Sequence, residues 1–204
     1  MDAREKDDGE WWVAVKFEGS RAGGLRLFTS TEYYRMGEVG IIGPDERVEL
    51  VGGLIYEMPP ITPGHARAVG VLHELLMFAL SGRAEVRGQS PVHLDDRSDP
   101  QPDVAAVKLI PDDYLERHPE AADIFLLVEV ADSGLHRDRT VKIPRYALTG
   151  VPEVWLIDLD RRVATVYRDP SDGCYLSETP VAIGGALSPM AFPYVGIPLA
   201  RIVR

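Results

Sequence analysis

At 204 residues, the chain has the length of one ordinary domain, and its 45% hydrophobic and 26% charged content fits a globular protein able to bury a substantial core. A formal net charge of −10 excludes a global pull towards nucleic acid or anionic membrane and confines any such contact to a local basic surface. One cysteine, Cys174, excludes an internal disulfide; the acidic start MDAREKDDGE lacks the apolar core of a signal peptide, and no run of roughly 18 apolar residues is present, so a cytoplasmic protein without a membrane span is expected.

Residues 1–27 read as an N-terminal decoration, with the apolar patch Trp11-Trp12-Val13-Ala14-Val15 and the exit Gly23-Gly24. The tryptophans suit docking onto the domain or a partner subunit better than stacking on bases, and with exposed sheet edges they suit a homodimer. Thr29-Ser30-Thr31-Glu32 is a capping box that predicts a short helix through Met36, ending before Gly40. Arg47–Val51 and Leu54–Met58 flank Gly52-Gly53, a two-residue hairpin signature, and period-two alternation sets Glu49 on the face of Val51, towards a sheet surface. From His65 to Leu80, Val69, Leu72, Leu75, Leu76, Ala79 and Leu80 recur at helical spacing. His65 and His73 stand more than two turns apart on that helix, too far to chelate one ion by themselves, so structural or surface roles are expected for them.

Glu85–Gly88 and Pro91–Leu94 read as two short strands. Pro100 and Pro102 then fix the approach to a small apolar strand, Val104–Val107, which Asp103 enters. Pro111–Pro119, PDDYLERHP, reads as a short helix and loop whose charges are solvated.

Ile124–Ala131 is nearly continuous apolar sequence, as in a strand covered on both faces, and Glu129 interrupts it. An unpaired ionised carboxylate there costs several kcal/mol or forces a large pKa shift, so a metal ion or a cation must compensate it. Lys142 falls near the start of a predicted helix that Thr149-Gly150-Val151-Pro152 closes, and the strand Val154–Asp158 follows at once. A lysine at a helix start is disfavoured by the helix dipole, which hints at another purpose for it. Strand, helix, strand in this order is a crossover unit that brings an acid and a lysine to one end of a sheet. Arg161-Arg162 turn a hairpin into Val163–Tyr167, and a strand near Cys174–Glu178 opens a tail spaced by Pro and Gly. The alternation predicts an α/β (α+β mixed) protein with a central mixed β-sheet flanked by helices.

Glu49, Asp103 and Glu129, each on a strand, and Lys142 form a kit for phosphate chemistry. Carboxylates supply hard oxygens for Mg²⁺, which lowers the pKa of a bound water and stabilises a pentavalent transition state, while a lysine orients that water. Taken singly, Glu49 also reads as an exposed strand acid, Asp103 as the opening of a strand, Lys142 as a partner of Asp138, and Tyr146 as core packing. Glu129 is the member hardest to explain structurally.

Pro102-Asp103, Val128-Glu129-Val130, Asp138-x-x-x-Lys142-x-x-x-Tyr146 and Gly150-Val151-Pro152-Glu153-Val154-Trp155-Leu156-Ile157-Asp158 come in an order that resembles the Uma-type restriction endonuclease family, a branch of the PD-(D/E)XK nuclease superfamily. The upstream stretch Glu49-Leu-Val-Gly-Gly-Leu-Ile-Tyr-Glu-Met, followed by His65 opening a helix, agrees with it. The resemblance covers residues 28–170 and leaves 171–204 as C-terminal strands and tail packed on the core. It implies a restriction-endonuclease-like core, with Asp103 and Glu129 as Mg²⁺ ligands (Mn²⁺ as an alternative ion), Glu49 as a supporting acid, and DNA as substrate. The superfamily's lysine two residues after the acid is replaced here by Ala131, and the family's migrated lysine on the following helix matches Lys142. At Ala131-Asp132-Ser133 the family often has an apolar residue, serine and proline, so the loop from strand to helix differs.

The resulting expectation is a Mg²⁺-dependent endonuclease in which Lys142 assists the attacking water, with Arg137, Arg139 and Arg145 as a local basic surface. The alternative is a catalytically inactive nuclease fold that binds nucleic acid or protein. A zinc hydrolase using His65, His73 or His136 lacks a compact histidine motif.

Overall fold

In the computed structural model, which describes residues 25–132 and 134–203, the apolar run Ile124–Ala131 (β5) is a central strand of a six-stranded sheet. The other strands of that sheet are Glu85–Gly88 (β3), Val104–Val107 (β4), Glu153–Asp158 (β6), Val163–Ser171 (β7) and Cys174–Ala182 (β8), in the order β3-β4-β5-β6-β7-β8. Only β5 and β6 pair in parallel, from Leu127↔Val154 to Ala131↔Asp158; every other ladder is antiparallel. This is the mixed sheet of an α/β protein, with the parallel pair where the crossover was expected. Val48–Val51 (β1) and Leu54–Glu57 (β2) form a separate hairpin, and Ala186–Leu187 (β9) pairs with Ile197–Pro198 (β10). The Trp11-Trp12 patch and the decoration before residue 25 lie outside the described residues, as does Ser133 of the loop after β5.

The helices are Ser30–Glu38 (α1), Pro63–Leu80 (α2), Leu135–Arg137 (α3), Ile143–Leu148 (α4) and Leu199–Ile202 (α5). Thr29 and Glu32 close the capping box expected of α1, which runs to Glu38, and the Tyr33 hydroxyl donates to the Val48 carbonyl at 2.9 Å. Thr62 caps α2 by accepting from the His65 N–H at 3.2 Å, and Pro63 fills the first helical position, where no N–H is missed. No helix among the described residues is long and apolar enough to cross a membrane.

One face of the sheet packs on α2. Leu72, Leu76 and Leu80 are wholly buried there against Leu126, Val128 and Trp155, each contributing on the order of 1.5–3 kcal/mol of burial. On the other face, Ile143, Tyr146 and Ala147 of α4 cover Leu127, Val154 and Leu156. Alternation along β5 puts Leu126, Val128 and Val130 towards α2, and Leu127 and Ala131 towards α4, so Glu129 belongs to the α4 side. The β1–β2 hairpin turns through Gly52 and Gly53. Gly53 has φ +82, and a Cβ there would stand 2.6 Å from Leu27 Cβ, so both conformation and space require glycine.

Three local expectations are corrected. Pro91–Leu94 is not a strand, because it meets Glu120 through a single bridge at His93 and finds no ladder. Pro111–Pro119 is a series of turns without a helix, and Tyr114, at φ +56, tucks inward to donate to the Lys108 carbonyl at 2.9 Å. Lys142 directly precedes α4, but the backbone upstream is already helical: α3 runs through a π-turn, Asp138–Lys142, into α4, and the Ile143 N–H donates to the Asp138 carbonyl five residues back. The lysine therefore stands inside a continuous helical segment over 135–148 and bears no N-terminal dipole penalty.

Candidate active site

Glu49 on β1, Asp103 at the entry to β4, Glu129 on β5 and Lys142 at the end of the π-turn line a single cleft with a cavity of about 80 Å³. In the β4–β5 ladder Val104 faces Val128, so extending the register by one pair sets Asp103 opposite Glu129. The crossover carries Lys142 back over the sheet end. Its Nζ lies 2.7 Å from Glu129 Oε1, 3.3 Å from Glu49 Oε2 and 3.3 Å from the Gln101 carbonyl. Glu49, only 1% exposed, also accepts from the Gln101 N–H at 3.0 Å and has Arg137 at 3.4 Å.

Tyr146, expected to be core packing, is buried but donates its hydroxyl to Glu129 Oε1 at 2.5 Å. The signal was its spacing of four from Lys142, which puts both side chains on one helical face. His65 likewise does more than open α2: its Nε2 lies 3.1 Å from Asp103 Oδ2, which also accepts from the Val130 N–H at 2.8 Å. Arg47, Asp132 and Asp138 complete the charged lining and were not singled out in the sequence as site residues. The anticipated basic surface does not assemble. Arg145 is half-buried and tied up in a network with Asp95 and Ser98 Oγ, and Arg139 neighbours Tyr167; Arg137 alone of the three lines the cleft.

Burial pushes the Glu129 carboxyl up to about 8, against the nearby positive charge of Lys142 and together with the repulsion of Asp138, Asp103 and Glu49. For Lys142, burial alone would favour the neutral amine, but Glu129, Glu49 and Asp138 outweigh it and hold the ammonium above its ordinary range. The hydrogen bond to Asp103 raises His65, with burial opposing. The cleft thus pairs a firmly held cation with carboxylates in excess: Glu49, Asp103, Glu129, Asp132 and Asp138 against Arg47, Arg137 and Lys142.

Among the described residues, no three histidine, cysteine or acidic side chains are gathered into a ready ion cage. The donor set nonetheless fits a hard divalent cation. Lys142 and Tyr146 occupy Oε1 of Glu129, while His65 and the Val130 amide occupy Oδ2 of Asp103. This leaves Glu129 Oε2 free of donors among the described residues, and Asp103 Oδ1 with one long contact, 3.4 Å from Gln89. Two carboxylate oxygens completed by water is a coordination that Mg²⁺ accepts. The histidines do not converge: His73 packs beside Gly88, and His136 is exposed.

A family model described as "Uma2: Putative restriction endonuclease" matches residues 30–200. Among solved structures, one titled as "a putative nuclease belonging to DUF820", from Anabaena variabilis, superposes with a TM-score of 0.68 at 14% identity, covering 86% of this chain and 97% of that one; at this identity the likeness is one of fold. No curated protein matches the sequence.

Proposed function

The chain belongs to the Uma2 family, and from that membership and the cleft we propose that it is a divalent-metal-dependent endonuclease that hydrolyses phosphodiester bonds of DNA. The observation that carries the reading is the contact of Lys142 with both Glu129 and Glu49 in the cleft that Asp103 also lines.

Asp103 and Glu129 would hold Mg²⁺ or Mn²⁺ through the oxygens that their protein partners leave free. The bound ion supplies positive charge that acidifies a water and neutralises the phosphate. Lys142, held as ammonium, orients the attacking water and offsets charge on the phosphoryl oxygens, and Glu129 and Glu49 fix its position. Glu49 acts as a supporting acid. His65 and the Val130 amide fix the rotamer of Asp103.

The test is conversion of supercoiled plasmid to nicked or linear forms by the full chain, with Mg²⁺ or Mn²⁺ and with EDTA. Cleavage that needs the ion and disappears in Asp103→Asn, Glu129→Gln and Lys142→Ala proteins that remain folded is the expected result. Cleavage retained in Glu129→Gln overturns the site assignment. DNA binding that is indifferent to the ion, without turnover, instead supports an inactive nuclease fold serving as a binding module.

A further inference from the structure

The carboxylates around the cleft differ in one respect. Glu129 accepts from Lys142 and Tyr146, Glu49 from Lys142 and the Gln101 amide, Asp103 from His65 and the Val130 amide, and Asp132 from Thr62. Asp138 is only 6% exposed and lines the same cavity, yet among the described residues its carboxylate receives no hydrogen bond and no ion-pair partner lies within reach. No donor among the described residues therefore accounts for this carboxylate at the cavity wall. It stands at the first position of the π-turn whose last residue is Lys142, so one widened helical turn presents an unengaged base and a fixed ammonium to one cavity.

We propose that Asp138 is a further catalytic residue of this site, the general base that takes the proton of the attacking water. This rests on the nuclease reading above. The water oxygen forms a bond to phosphorus as its proton passes to an Asp138 carboxylate oxygen. The bond from phosphorus to the leaving sugar oxygen breaks with its electron pair, and Asp138 returns the proton to that oxygen through cleft water. Lys142 is unsuited to the base role, because its acidic partners keep it protonated. Asp138 is suited to it: burial raises its carboxyl, Asp103 and Glu49 act in the same direction, and Lys142 and Arg137 oppose, which moves it towards the neutral range where a base works best.

The experiment compares the full-length wild type with Asp138→Asn, Asp138→Glu and Asp138→Ala, using plasmid and bis(p-nitrophenyl) phosphate as substrates, Mn²⁺ titration for ion binding, and thermal melting at pH 8. For Asp138→Asn the expected loss in kcat is about 10²–10⁴-fold, with KM and Mn²⁺ affinity unchanged. Asp138→Glu should recover part of the rate, and added formate part of the rate of Asp138→Ala. Because the substitution removes an unpartnered buried charge, the Tm of Asp138→Asn should hold or rise. Unchanged kcat in Asp138→Asn overturns the proposal, as does Mn²⁺ affinity falling with the rate, which marks a metal ligand, or Tm falling with the rate, which marks a structural support. A wild type that hydrolyses neither substrate overturns the nuclease reading and this proposal together, whereas cleavage by wild type and Asp138→Asn alike overturns this proposal alone.

Discussion

Lys142 Nζ and Glu129 Oε1 meet at 2.7 Å with both side chains about 4% exposed, so once Glu129 is ionised each charge answers for the burial of the other. Truncating one partner of such a pair strands the other and costs about 3–5 kcal/mol. Lys142→Ala is therefore expected to lower Tm by several degrees, since each kcal/mol is worth roughly 2–4 °C in a chain of this size. The double change Lys142→Met with Glu129→Gln, which removes both charges at similar volume, should recover most of that loss and none of the cleavage. A thermal double-mutant cycle reads this coupling. Additive effects of the two changes would show that the pair does not interact.

Tyr146→Phe removes only the hydroxyl that reaches Glu129 at 2.5 Å. A hydrogen bond to a charged acceptor is worth about 1.5–3 kcal/mol, so a Tm drop of a few degrees is expected with the packing of the ring kept. Losing a donor to the ionised form also raises the Glu129 carboxyl further. The acid limb of the cleavage pH profile should then move to higher pH in Tyr146→Phe; an unmoved limb would leave Tyr146 as packing alone.

Glu129 announced itself in the sequence because an acid inside an apolar strand has no inexpensive structural explanation, and the parallel register of β5 and β6 follows from the crossover around it. Tyr146 and His65 read as an apolar filler and a helix opener, since their partners Glu129 and Asp103 come from other elements; the spacing of four from Lys142 sets Tyr146 on the lysine's face but does not name its acceptor. The π-turn escaped for a related reason. Pro144 and the Thr149-Gly150 stop mark the α4 segment, whereas the i to i−5 bond from Ile143 to Asp138 has no propensity of its own. Pro91–Leu94 has strand composition, but whether a strand forms there is decided by its neighbours, and these offer scattered bonds from Val92 to Pro100, His93 to Pro119 and Leu94 to Ser98 without a continuous ladder.

Stability should depend on pH through the same cleft. The folded state holds the Glu129 proton up to about 8, against 4.5 for an ordinary glutamate, so its contribution is complete below about pH 4.5 and is lost as pH rises to about 8. Asp138 and His65, both raised, act with the same sign. Asp123, lowered with burial opposing and its ion pair with Arg117 prevailing, acts oppositely: its contribution is present above the ordinary carboxylate range and lost on acidification. Tm should therefore be highest at mildly acidic pH and fall towards pH 8, where Mg²⁺ binding to the ionised Glu129 and Asp103 raises it again. Melting curves from pH 5 to 8, with and without Mg²⁺, check this; a flat profile that the ion does not move would contradict the electrostatics described for the cleft.

Arg47 is the cleft cation free to meet a phosphate. It is exposed, and among the described residues its side chain donates only to a backbone carbonyl, from NH1 to Pro59 at 3.1 Å, whereas Arg137 is engaged with Glu57 and Glu49, and Arg145 with Asp95 and Ser98. Each phosphate contact releases counterions and contributes about 0.9 to the slope of log binding constant against log salt. In a Glu129→Gln background, expected on the proposed function to prevent turnover, Arg47→Ala should weaken DNA binding uniformly across sequences and reduce that slope by about 1. Arg145→Ala should leave the slope unchanged and lower Tm, because it unties the α4 segment from the loop that carries Asp95 and Ser98. Fluorescence anisotropy over a salt series separates the two. A slope that falls with Arg145 and not with Arg47 would place the DNA on the α4 face of the sheet, away from the cleft mouth.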